Sequence, residues 1–130
     1  MKRTFSRSWI SSSKPRKQVK YRENAPLHIK QKFVAAHLSS ELKRKYHKRS
    51  VPLRTGDKVK IMRGDHKGKT GKILRVNLKK MLVYLEGFQA SKIDGSKADL
   101  SFAPSNLMIT ELVLDDKRRK ESIEGNHGSR

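Results

Sequence analysis

Two spacings of apolar residues divide the chain. Between residues 24 and 54 they fall at helical intervals, Ile29, Phe33 and Ala36 recurring at i, i+4 and i+7. Pro26 suits the first position of a helix there, with Asn24 and Ala25 leading in and Lys30 and Lys32 pointing away from the stripe. A second short helix is predicted, with Ser39 as N-cap and Glu41 in its first turn, continued by Leu42 to Tyr46. Val51 with Pro52 ends it. Helices this short are not stable alone, so they must dock. Residues 1–23 read as irregular, because Ser11, Ser12, Ser13 and the Lys14–Pro15 step discourage helix.

From Thr55 the period becomes two. Lys58, Val59, Lys60 and Ile61 alternate, and a turn follows at Arg63, Gly64 and Asp65. Further strands are predicted over 72–78, 81–86, 88–93, 98–102 and 107–112. Asn77 to Lys80 connects tightly, Gly87 permits a bend, Asp94–Gly95 is a hairpin signal, and Pro104 interrupts. Five or six short strands in so few residues predict a mostly β fold, a small, strongly bent antiparallel barrel. Residues 1–54 then form a basic N-terminal extension with two short helices, 55–114 the barrel, and 115–130 a charged, frayed C-terminal tail.

Charge sharpens this division. The chain has 130 residues, with 32 Lys and Arg against 12 acids, a formal charge of +20. Residues 1–54 hold 16 basic and 2 acidic side chains, 55–114 hold 11 and 6, and 115–130 hold 5 and 4. Counting glycine but not tyrosine, about 38% of residues are apolar, against roughly 45–50% in ordinary globular domains. Such a chain favours a polyanionic partner, nucleic acid first and an anionic membrane surface second.

Several classes fall away. No cysteine is present, which excludes disulfide frameworks, thiolate zinc sites and cysteine nucleophiles. The longest apolar run is five residues, 81–85, far short of the roughly 20 that a membrane span needs. The Arg- and Ser-rich first 22 residues superficially resemble an organellar transit peptide, but the same composition suits a nucleic-acid-binding arm. The five histidines show no metal spacing with nearby acids, and Asp57, Asp65 and Glu86 assemble into no acid/base pair. Neither a metal, a cofactor nor a small-molecule substrate is expected, and the chain reads as soluble and intracellular.

The most informative stretch runs from Gly56 to Val76. Its glycines at 64, 68 and 71 permit a tight loop with close backbone approach, decorated by Arg63, His66, Lys67 and Lys69. A basic glycine loop suits recognition of a nucleic-acid backbone. It equally suits a barrel corner whose glycines serve only the turn. Gly64, Gly68, Lys69 and Thr70 imitate a phosphate-binding P-loop, but three residues separate the glycines where that motif needs four.

Residues 59–76 resemble the KOW motif, shared by ribosomal proteins and transcription elongation factors. Three further blocks occur in the same order: Asn24-Ala-Pro-Leu-His-Ile-Lys30, Leu38-Ser-Ser-Glu-Leu-Lys-Arg-Lys-Tyr46 and Arg49-Ser-Val-Pro-Leu-Arg54. With Pro104-Ser-Asn-Leu-Met-Ile-Thr110 they resemble the universal large-subunit ribosomal protein twenty-four family, called twenty-six in older eukaryotic naming. The resemblance covers roughly residues 14–120 and leans to the archaeal and eukaryotic branch. It departs at Ala103, where the family often carries histidine, so no role is carried to that position. Residues 1–13 match nothing recognisable.

The resemblance implies an SH3-like barrel with basic extensions and no enzymatic activity. It implies a structural constituent of the cytoplasmic large ribosomal subunit, binding the 5′ domain of large-subunit rRNA early in assembly. Neighbouring large-subunit proteins near the polypeptide exit are the implied protein partners, without membrane insertion. An elongation factor using the same barrel is the rival, but 130 residues leave little room for a polymerase-binding domain.

Affinity for structured RNA is expected mainly from phosphate neutralisation, since the A-form major groove is too deep and narrow to read. The expected contacts are Lys14, Arg16, Lys17, Lys20 and Arg22 in the arm. In the helices they are His28, Lys30, Lys32, Lys43, Arg44, Lys45 and Arg49. In the motif loop they are Arg63, Gly64, His66, Lys67, Gly68 and Lys69. His28 is equally suited to capping local structure. Trp9 and Tyr21 are candidates to stack on unpaired bases, whereas Phe33, Tyr84, Phe88 and Phe102 are expected in the core or where helices meet it.

Overall fold

The computed structural model describes residues 5, 6, 8 and 11–125. Trp9 and His127 lie outside the described residues. Seven strands form one sheet: β1 (Ala35–Leu38), β2 (Ser50–Pro52), β3 (Lys58–Ile61), β4 (Thr70–Asn77), β5 (Leu82–Ser91), β6 (Lys97–Phe102) and β7 (Leu107–Glu111). Their spatial order is β2-β1-β7-β3-β4-β5-β6, and only β1 with β7 is parallel. The expected β-rich fold is present, as an open sheet that does not close on itself.

Alternation builds the core. Val59 and Ile61 of β3, Val83 and Leu85 of β5, and Leu107 and Ile109 of β7 are wholly buried while their neighbours face outward. Segments 81–86 and 88–93, expected as two strands, form the single strand β5. Gly87, at φ +81°, bends it, and its pairing with β6 shifts register between Tyr84 and Gln89.

The front of the chain differs most from expectation. Its sequence predicts no strand, yet β1 and β2 lie there and carry buried Ala36, Leu38 and Val51 into the shared core. Pro52 does not end the second helix, which stops at Tyr46, but ends β2, and an outer strand tolerates its missing N–H. Ala36 belongs to β1 and not to the helical stripe of Ile29 and Phe33, since α2 (Leu27–Phe33) stops at the Val34 cap.

Three helices, not two, occupy this part among the described residues. α1 (Pro15–Asn24) lies where the serines and Pro15 predict an irregular arm, because proline at the first helical position lacks a donor the helix would not use. α3 (Ser40–Tyr46) follows Ser39 as expected, closing on the left-handed His47 at φ 53°. Of the expected frayed tail, residues 126–130 lie outside the described residues, and 117–124 are helical. α4 (Lys117–Glu124) starts on the Asp116 carboxylate, which accepts the Arg118 N–H at 3.0 Å, and buries Ile123 in the core.

A buried ion pair locks α4 to the sheet. Arg119 grips Asp57 with both terminal nitrogens, at 2.8 and 2.6 Å, and also donates to the carbonyls of Val113 and Pro52. Asp57, fully buried, further accepts the backbone N–H groups of Arg54 at 3.1 Å and Val113 at 3.0 Å. Lys48, just past α3, donates to the Ser122 carbonyl and adds a second tether.

Candidate nucleic-acid interface

Most of the predicted cations are exposed and sit on three elements. Lys14, Arg16, Lys17, Lys20 and Arg22 lie at the start of α1 or along it, and nothing on that helix is buried. Helical spacing gathers Arg16, Lys17 and Lys20 on one side. Lys43, Arg44 and Lys45 fill the last turn of α3, where cations also complement the helix dipole, and Arg49 follows exposed. Lys45 lies 5.2 Å over the ring of Tyr46. His28 and Lys32 are exposed on α2.

The third element is the loop 62–69 between β3 and β4. Gly64 and Gly68 take φ of +95° and +87°, and neither would place a Cβ against any atom within 4 Å. They are required for the turn's conformation rather than for space. Arg63, Lys67 and Lys69 are exposed around them. The loop runs straight into β4, so the helix start that a P-loop uses to hold phosphate is missing here.

Two of the predicted contact residues turn into the fold rather than out to solvent. Lys30 is only 7% exposed, and its ammonium donates to the Lys79 carbonyl at 3.2 Å, in the turn between β4 and β5. It serves the fold, because an ammonium drawn from water to a carbonyl is not free to meet phosphate. His66 turns inward, its ring edge-on to Phe88 at 5.4 Å and to Phe102 at 6.0 Å. Tyr21, a candidate for base stacking, is half-buried between Phe5 at 5.0 Å and Phe33 at 5.8 Å, which joins α1 to α2. Phe88 and Phe102 pack against the core as expected.

Sequence reasoning passed over His37. On β1 it is half-buried, and its pKa is lowered from 6.5 by burial first, then by repulsion from Lys43 and Arg49. The signal was present in the sequence only as a histidine between two basic runs. Its sign is testable. Because the folded state binds the proton less readily, stability is complete above pH 6.5 and falls as pH drops through the window below it. Urea unfolding at about pH 7.5 and 5.5, on either side of the ordinary histidine value, should show a smaller loss for His37→Gln than for the unaltered chain. Equal losses would exclude this linkage.

The cations are not evenly spread. Residues 81–116 hold 2 basic and 6 acidic side chains. Asp99 pairs with Arg75 at 3.6 Å, Glu111 with Lys58 at 3.3 Å, and Asp116 with Arg54 at 2.6 Å. With Asp57 held by Arg119, these carboxylates engage cations outside the predicted contact set. Among the described residues no group of three or more His, Asp or Glu is placed to hold a metal ion, and no helix is long and apolar enough to cross a membrane.

Comparison with known proteins shows what the chain is similar to. A family model that describes the ribosomal proteins L26 of eukaryotes and their archaeal L24 counterparts matches residues 12–126. Large ribosomal subunit protein uL24 of Methanosarcina barkeri is 47% identical over 112 residues, 86% of this chain and 97% of that protein. The uL24 of Methanothrix thermoacetophila is 46% identical over 110 residues, covering 85% and 95%. That of Methanocella arvoryzae is 45% identical over 115 residues, covering 88% and 93%.

Proposed function

This chain belongs to the family of eukaryotic L26 and archaeal L24 ribosomal proteins, which are structural and non-catalytic, and from that membership we propose how it works in the large ribosomal subunit. It binds large-subunit rRNA, in the 5′ domain, chiefly by laying lysine and arginine side chains on phosphates. It joins the particle early and sits beside other large-subunit proteins near the polypeptide exit, in the cytoplasm. The observation that carries the RNA reading is the segregation of charge, with cations exposed on α1, α3 and the 62–69 loop.

Shape readout suits that arrangement. Cations on separate elements can follow a folded backbone, and the major groove of A-form RNA is too deep and narrow for side chains to read. The finer fold reading belongs with it: β3 to β7 form the SH3-like barrel of the KOW type, supported by their alternation and the glycine loop. The division at residues 54 and 114 then has functional sense, as cationic clamp, platform and closing clasp.

Sedimentation tests the assignment. Chain tagged in its native cells should travel with large subunits and whole ribosomes on a sucrose gradient and stay there in moderate salt. Migration at the top of the gradient, or with RNA polymerase, would overturn it in favour of a free or transcription-bound protein.

A further inference from the structure

The loop that carries Lys67 and Lys69 is pinned at its middle by a side chain pointing the wrong way for RNA. His66 presents its ring edge-on to Phe88 and Phe102, which themselves pack at 5.5 Å and nearly perpendicular, so three rings close on one another. Its Nδ1 is buried with no hydrogen-bond partner among the described residues. A polar atom left unsatisfied is costly, so the ring is kept there for its shape and contacts rather than for that nitrogen. The platform beneath is tight: a Cβ on Gly71 would lie 2.9 Å from Phe88 Cε2 and 3.5 Å from Leu85 Cβ.

The backbone ties the ring to the lysines. The carbonyl of His66 accepts the Lys69 N–H at 3.1 Å, and the Lys67 N–H donates to the Gly64 carbonyl at 3.1 Å. Ile61 closes the loop's base by donating to the Lys69 carbonyl and accepting from the Gly68 N–H. Fixing the ring therefore fixes both lysine backbones before any ligand arrives. A flexible glycine loop would have to give up its freedom on binding, and affinity would fall accordingly.

We propose that His66 is a positioning residue, an aromatic staple that holds the loop so that Lys67 and Lys69 meet phosphate, and that its imidazole makes no contact with RNA. This rests on the RNA-binding reading of the loop, and the experiment separates the two. Full-length chain would be titrated onto a transcript of the 5′ domain of large-subunit rRNA from its own source. The variants are His66→Ala, His66→Phe, Lys67→Ala with Lys69→Ala, and all three alanines together, with thermal unfolding followed in parallel.

Removing both lysines should weaken binding about tenfold or more at roughly 0.1 M salt. His66→Ala should lose about as much, adding little when the lysines are already gone, while unfolding remains cooperative. A generally weakened fold would instead lower affinity by the same factor in both backgrounds, which would overturn the staple. His66→Phe should bind as the unaltered chain does and melt no lower, since it keeps the ring and drops the orphaned nitrogen. Binding by His66→Phe as poor as by His66→Ala would overturn the staple in favour of direct contact by the imidazole, and unchanged binding by His66→Ala would also overturn it. If the double lysine variant binds normally, the RNA reading of this loop fails, and the staple's purpose fails with it.

Discussion

Arg119→Ala is expected to destabilise the protein by about 3–5 kcal/mol, because it breaks a buried ion pair from one side. Asp57 is fully buried and accepts from four donors, two of them on one guanidinium. Alanine leaves a buried carboxylate with two backbone N–H groups and nothing to offset its charge. The same change frees the Val113 and Pro52 carbonyls and loosens α4, which carries Ile123 into the core. Arg119→Lys keeps the charge but cannot hold both oxygens in a planar fork, so it should recover only part of the loss. Urea unfolding near neutral pH checks this. A shift under about 1 kcal/mol would place the pair among interactions that merely break even against desolvation.

The lock also bears on which fragments can fold. A piece spanning residues 50–115 keeps every strand of the sheet but one. Such a piece lacks β1, which lies between β2 and β7, together with Arg119 and Ile123. The core of the sheet is thus closed by residues from both flanks of the motif.

What was legible in the sequence follows from distance along the chain. β3, β5 and β7 each announce themselves by two or more large aliphatics at alternate positions, a signal contained within the strand. β1 offers only Ala36 and Leu38 beside a histidine, too short and too small a pattern to separate from the preceding helix. α1 has no buried residue, so no apolar stripe marks it, and only Pro15 gives its start away. Asp57 with Arg119, and His66 with Phe88 and Phe102, pair residues far apart in sequence, and no local period encodes such meetings. The glycines of the loop and the excess of cations were readable because they act locally, through backbone freedom and net charge. Which cations turn inward was not. Lys30 and Lys32 look alike in sequence, and only the packing of α2 sends one of them to the Lys79 carbonyl.

The second large effect is on binding. If the exposed cations of α1, α3 and the 62–69 loop neutralise about 6–10 phosphates, affinity for the rRNA 5′ domain should fall about 10³–10⁵-fold between roughly 50 and 200 mM salt. The dependence arises because each phosphate neutralised releases condensed counterions, whose entropy gain shrinks as bulk salt rises. Exposure matters here, since an ammonium already bound to a carbonyl, as in Lys30, releases nothing when RNA arrives. Filter binding with full-length chain across that salt range gives the slope directly. Replacing Lys43, Arg44 and Lys45 together by alanine should reduce the slope by about one for each phosphate those side chains neutralise, weakening binding most at low salt. Lys30→Met should leave the slope unchanged, because that side chain is spent within the fold. A flat salt response would mean that bases or shape, rather than phosphates, hold the complex together.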